Sequence, residues 1–110
     1  MKDLTATELK RNRKKLLRNL PALDSVLRGS LIERYKRCGN PNCKCAQGQG
    51  HGPKTYLTVS YPGRFPQVDY VPQANCEQIS QCVANYAQIR EILEGISEIN
   101  HELLRRREPL

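Results

Sequence analysis

A chain of 110 residues has the length of one small domain, which buries only about two thirds of the surface its unfolded chain exposes. With one Phe, no Trp and an apolar set dominated by Leu, Ile and Val, its core is thin, and a bound metal or a partner subunit would supplement burial. The 18 Lys and Arg against 11 Asp and Glu point to an acidic partner, while no apolar run approaches the ~18 residues that a membrane-spanning helix needs.

The charge is uneven. Residues 1–20 hold seven basic and two acidic side chains, residues 21–73 seven and three, and residues 74–110 four and six, so the first two thirds is cationic and the last third mildly acidic. Solubility alone is the bland explanation of such an excess. Anionic lipid is a poorer fit than nucleic acid, because the basic stretch lacks the Trp or Phe face of an interfacial helix. The N-terminus has charge but no apolar signal region, so a cytoplasmic location is expected. Five cysteines then read as metal ligands or packing residues, since an odd number suits a disulfide framework poorly.

Thr5 and Glu8 have capping-box spacing and predict a helix from about Ala6 to Asn19, ended by Pro21. Leu9, Leu16, Leu17 and Leu20 lie on or near one face, and Lys10, Arg11, Arg13, Lys14, Lys15 and Arg18 occupy most of the rest. Ser30 to Arg37 reads as a strand by alternation. Tyr56 to Tyr61 and Gln67 to Val71 read as a hairpin around Pro62 and Gly63 with a loop of roughly four or five residues, Pro66 falling near the edge or at a bulge. From about Ala74 to Arg107 no proline intervenes. Ile79, Cys82, Tyr86, Ile89, Leu93, Ile96, Asn100 and Leu103 recur at spacings of three and four, a heptad pattern. Gly95 costs about 1 kcal/mol relative to Ala without ending the helix. The expected fold is α+β in a single domain over 1–110: a basic helix (1–22), a three-stranded antiparallel zinc-stabilised β module (28–73) and a long coiled-coil-like helix (74–108).

Between the first two predicted strands, Cys38, Cys43, Cys45 and His51 place three thiols and one imidazole within 14 residues. Three cysteines and one histidine make a standard tetrahedral zinc set, and four protein ligands leave no open position for catalysis, so the site would be structural. Gly39, Pro41 and Asn42 permit a turn between the first two thiols, and Gly48, Gly50 and Gly52 a reversal that turns His51 inward. Metal-free reduced thiols and an iron–sulfur cluster are the alternatives, the latter disfavoured because clusters usually take four thiolates. Cys76 is a second candidate for the fourth ligand. Cys82 reads as a small seam residue, and His101 as a solvated one.

The stretch Gly29–Cys38, the Cys38-Gly-Asn-Pro-Asn-Cys43-Lys-Cys45 element, the His51-Gly52-Pro53 step and Tyr56-Leu57 resemble a family of short bacterial proteins of unassigned function, often associated with transposons and other mobile elements. The resemblance runs from about Leu27 to Leu104 and implies a mobile-element setting, which favours nucleic acid as the acidic partner.

The function expected is therefore that of a non-enzymatic zinc-binding accessory protein that binds nucleic acid, with duplex DNA favoured over RNA. Lys10, Arg11, Arg13, Lys14, Lys15 and Arg18 would bind phosphates, with Arg34, Lys36, Arg37, Lys44 and Lys54 continuing the patch around the metal. Tyr35 and Tyr56 would stack on bases if the target is single-stranded. The alternative is an adaptor whose C-terminal helix docks a transposase or other partner, and residues 76–106 are also a candidate homodimer seam. No Ser-His-Asp set, carboxylate cluster or phosphate-binding glycine loop argues for catalysis.

Overall fold

A helix starts where its free N–H groups find acceptors, and Thr5 and Glu8 provide them. Thr5 Oγ1 accepts from the Glu8 N–H at 3.1 Å and Glu8 Oε2 from the Thr5 N–H at 3.2 Å, opening α1, Ala6–Arg18. Asn19 caps its end, donating to the Leu16 carbonyl. The computed structural model describes residues 1–36 and 51–110, with the backbone alone at Lys36, His51 and Gly52. After α1 come β1 (Ser30–Lys36), β2 (His51–Tyr61), β3 (Arg64–Val71), a 3-10 turn (Gln73–Asn75) and α2 (Cys76–Arg105). The sheet is antiparallel in the order β1-β2-β3, which is the α+β arrangement expected. The chain forms two compact units, one made of Met1–Val26 with Ala84–Leu110 and the other of Leu27–Val83; α2 contributes to both.

In the helical unit, Leu9 is fully buried with Ile99 and Leu103, and Leu4, Ala6 and Leu16 pack beside them. The stripe that α2 buries runs through Asn85, Ile92, Ile99 and Leu103. The expected seam passed instead through Leu93 and Asn100. Both stripes have the same spacing, and it is Leu9 of α1, seated on Ile99 and Leu103, that selects the buried one; Leu93 is left 57% exposed. Asn100 is only half-buried and accepts from the Arg13 guanidinium at 2.6 Å. A Cβ at Gly95 would lie 2.9 Å from Leu16 Cδ1, so the helix interior tolerates glycine there because a leucine from α1 fills the space. The chain leaving α1 is held by Gln88, which donates to the Asn19 carbonyl at 3.0 Å, and by Asn85, which donates to the Ser25 carbonyl at 2.9 Å.

At the far end of α2, Arg106 donates to the carbonyls of Leu4 (2.5 Å), Met1 (3.1 Å) and Lys2 (3.2 Å). Glu102 accepts from Arg105 Nε at 3.2 Å and Arg106 Nε at 3.4 Å. Burial by itself pushes the Glu102 carboxyl up, but the two guanidiniums outweigh it and hold the group below the usual carboxylate value.

In the sheet unit, Leu57, Val59 and Val71 are buried against Cys76, Ile79 and Val83 of α2, with Leu27, Leu31 and Tyr61 at the margin. Burying three such aliphatic side chains contributes on the order of 2 kcal/mol each. Gly29 enters β1 at φ +146°, where a Cβ would meet the Thr58 carbonyl oxygen at 2.7 Å; only glycine allows that approach. The hairpin turn is shorter than expected. Pro62 and Gly63 alone connect β2 to β3, and Gly63 at φ +71° gives the Pro-Gly signature of a type II turn.

Both prolines inside strands sit where pairing slips. Val59 pairs with Gln67 but Tyr61 with Arg64, so Phe65 and Pro66 together oppose Ser60. Arg34 pairs with Lys54 but Lys36 with His51, so Gly52 and Pro53 together oppose Tyr35. Each bulge spares the proline a ladder N–H that it does not have; Pro66 thus sits at a bulge, one of its two expected placements, and β2 and β3 start earlier than the expected Tyr56 and Gln67.

Candidate nucleic-acid interface and metal centre

Alternation along a strand sends neighbouring side chains to opposite faces, and direct cross-strand partners share one. Leu31, Leu57, Val59 and Val71 take the face covered by α2. The other face carries Ser30, Ile32 and Arg34 from β1, Lys54, Tyr56 and Thr58 from β2, and Val68 and Tyr70 from β3, in register. Glu33 and Asp69 pair with Thr55 and Leu57, on the covered side. None of the described residues on the open face is acidic.

A short polar–aromatic ladder crosses that face. The Arg34 guanidinium carbon stands 5.7 Å from the Tyr56 ring centroid, within cation–π range. The Tyr56 and Tyr70 rings meet edge-on, 5.8 Å apart at 63°, an arrangement worth about 1 kcal/mol beyond area burial. Tyr70 is 54% exposed, and Arg34 and Lys54 are exposed. Arg34 and Lys54 are direct cross-strand partners, and like charges so placed repel by some tenths of a kcal/mol. An anion placed between them would relieve that repulsion.

Of the basic residues expected on α1, Arg11, Lys14, Lys15 and Arg18 are exposed and Lys10 half-exposed. Thr7, Lys10, Arg11 and Lys14 line one shallow depression. Arg13 is turned to Asn100 instead. Lys36 lies at the end of β1, and Arg37 and Lys44 lie outside the described residues. Tyr35 alternates away from Arg34 and so leaves the Tyr56 face. Tyr70 was not among the expected contacts, because only the β2–β3 register brings it to Tyr56.

For the expected metal ligands, Cys38, Cys43 and Cys45 lie outside the described residues, and His51 is the first residue of β2. Among the described residues no group of three or more His, Cys, Asp or Glu side chains comes together. The donor set fits zinc, and the Lys36–His51 pairing brings the two ends of the intervening segment side by side, as a metal centre closing between two strands requires. The Cys76 thiol is placed among core residues, donating weakly toward the Pro72 carbonyl at 3.5 Å and the Val71 carbonyl at 3.8 Å. Cys82 is half-buried and, like Cys76, forms no disulfide.

Fold and surface together define a small α+β protein that carries a helix-backed sheet with one open, basic and aromatic face. The chain belongs to the family described as a domain of unknown function, DUF6788, whose model matches residues 6–81, from α1 through all three strands to the opening turns of α2. No curated protein and no solved structure matches it. No described helix is long and apolar enough to cross a membrane.

Proposed function

We propose that this chain is a non-enzymatic, zinc-binding accessory protein that binds nucleic acid, in the mobile-element setting that its resemblance implies. The observation that carries the reading is the open sheet face, where Arg34, Tyr56 and Tyr70 form a ladder beside Lys54 with no acidic side chain among the described residues of that face. Stacking tyrosines suit bases that are free of a duplex, and an arginine on the same face suits their phosphates. Unpaired nucleic acid therefore replaces duplex DNA as the favoured target of the sheet. The exposed bases of α1, Arg11, Lys14, Lys15 and Arg18, supply phosphate contacts that carry no sequence information. Cys38, Cys43, Cys45 and His51 hold the zinc, which stabilises the fold and leaves no site for chemistry.

The test is fluorescence anisotropy with single-stranded DNA, RNA of the same sequence and duplex DNA at two salt concentrations. Single strands bind tightest, and Tyr70→Ala, at a largely exposed position, weakens them by about tenfold or more, the worth of a base stacked on an aromatic ring. Unchanged affinity in Tyr70→Ala and Arg34→Gln together would refute the sheet as the binding surface.

The second reading, an adaptor that docks a transposase or another protein through α2, is favoured by Leu93 and Leu104, both more than half exposed on that helix. Nuclease-treated protein that retains a partner, and loses it with Leu93→Ser and Leu104→Ser, would select this reading. The same substitutions followed by light scattering test a homodimer through residues 76–106.

A further inference from the structure

The turn between β2 and β3 reverses in two residues and carries at its base Phe65, 89% exposed, the most exposed large apolar side chain among the described residues. A phenyl ring held in water is a liability, above all beside an edge strand, and an exposed aromatic rimmed by polar groups marks a contact surface. Its surroundings here are cationic. The Arg64 guanidinium carbon lies 4.2 Å from the Tyr61 ring centroid, and that of Arg28 lies 4.9 Å from the same ring. Arg28 also donates to the Ser60 carbonyl at 2.6 Å, which fixes it at the turn and leaves its other N–H groups for a ligand. Among the described residues the ion pairs are those of Arg105 and Arg106 with Glu102; neither Arg28 nor Arg64 has a carboxylate partner. Two guanidiniums are thus drawn to one ring with no counter-charge from those residues, at the same end of the hairpin as an aromatic side chain with nothing packed over it.

We infer that this hairpin tip is a wedge for the junction between paired and unpaired nucleic acid, in which Phe65 stacks on the end of the last base pair while Arg28 and Arg64 hold the phosphates beside it. The inference rests on the nucleic-acid reading above and deepens it. Apolar side chains on nucleic-acid-binding proteins enter base steps in this way, and their unstacking cost is least where the stack already ends. A junction offers an uncovered base-pair face for the phenyl ring, and two converging backbones for two arginines. It also suits a sheet face whose tyrosines favour unpaired bases, because a fork supplies both kinds of surface.

The experiment uses the full chain and three labelled DNAs of equal length: a single strand, a blunt duplex and a forked duplex. The wild type binds the fork about tenfold tighter than the single strand, an advantage at the lower end of what one base stack supplies. Phe65→Ala removes that preference and leaves single-strand affinity unchanged within about twofold, because stacking on Tyr56 and Tyr70 is untouched. Phe65→Trp keeps the preference, and Arg28→Gln with Arg64→Gln lowers the salt dependence on the fork. At its exposed position Phe65→Ala folds normally, which circular dichroism checks. Equal affinity of the wild type for fork and single strand, or a fork preference that survives Phe65→Ala, overturns the wedge and leaves the nucleic-acid reading standing. Failure to bind any of the three DNAs or the matching RNA overturns both. A fork preference that survives while Phe65→Ala converts a dimer to a monomer in light scattering overturns the wedge and assigns the ring to a contact between two copies.

Discussion

Replacing Lys14, Lys15 and Arg18 by Gln removes three of the exposed charges of α1 and leaves its buried face, Leu9 against Ile99 and Leu103, intact. If those three side chains and Arg11 on the same helix each neutralise a phosphate, α1 contributes about −3 to the slope of the logarithm of single-strand affinity against the logarithm of salt, from about −0.7 per contact. The triple substitution should make the slope shallower by about 2, weakening all sequences alike, since phosphates carry no base information. Arg13→Gln is the internal control. Its guanidinium is committed to Asn100 at 2.6 Å, so the slope should stay the same. Stability should fall instead by about 1.5 kcal/mol, the worth of a hydrogen bond to a charged group, which lowers the melting temperature by about 5 °C in a chain of this length. The assay is anisotropy of a labelled oligonucleotide at four salt concentrations, with thermal melts run in parallel. A slope unmoved by the triple substitution, or lowered as much by Arg13→Gln, would refute the assignment of the outer face of α1 to phosphates.

Leu9→Ala, at a fully buried position between Ile99 and Leu103, should cost about 3 kcal/mol, read as a loss of melting temperature; a shift no larger than that of an exposed leucine such as Leu23 would mean that α1 does not dock. Protein purified without chelator should carry a single tightly held zinc, whose removal takes away on the order of 10 kcal/mol of stabilisation and unfolds the sheet unit by circular dichroism. His51→Ala should weaken that metal far more than Cys76→Ala, and the reverse order would move the fourth ligand to Cys76. For Glu102, whose carboxyl sits below its ordinary value in the folded chain, the folded state binds fewer protons than the unfolded one, so stability rises with pH through this window. The contribution is complete above the usual carboxylate value and is lost as pH falls through the depressed folded value. Wild type should therefore melt higher than Glu102→Gln at neutral pH, with the gap closing in acid, and a gap constant across that range would exclude the Arg105 and Arg106 pairs as its source.

Local signals were legible and cross-strand ones were not. Thr5 and Glu8 announce the start of α1 because both halves of the capping box lie within four residues, and α2 is announced by an apolar spacing that no proline interrupts. Pro66 was legible as an edge or bulge residue, and the pairing places it where two residues oppose one; the start of β2 ahead of Pro53 was not, because only pairing reveals the second bulge there. The buried stripe of α2 has the same difficulty, since Ile92 and Ile99 repeat at the same spacing as Leu93 and Asn100, and the choice between them lies with Leu9, some ninety residues away. At the candidate site, Arg34, Lys54 and Tyr56 were visible as residue types, whereas Tyr70 depended on register and Arg28 and Arg64 on the fold of Tyr61 beneath them. The metal reading of Cys38, Cys43, Cys45 and His51 is a matter of donor chemistry and spacing, and its first three residues lie outside the described ones.

The helical unit is discontinuous, made from the first part of the chain and the last, and Arg106 reaches back across it to the carbonyls of Met1, Lys2 and Leu4. During synthesis α1 is made some ninety residues before the surface that buries Leu9, at Ile99 and Leu103. The strands and the α2 turns that cover them, all within Leu27–Val83, are complete earlier and can associate while α1 still waits with its leucines uncovered. Contacts of such long sequence separation form late, because the intervening loop must close before they are rewarded. In that interval the basic side chains of α1 would repel those of like chains, so Arg11, Lys14, Lys15 and Arg18, proposed to meet phosphate, would also protect the nascent helix from association with its neighbours.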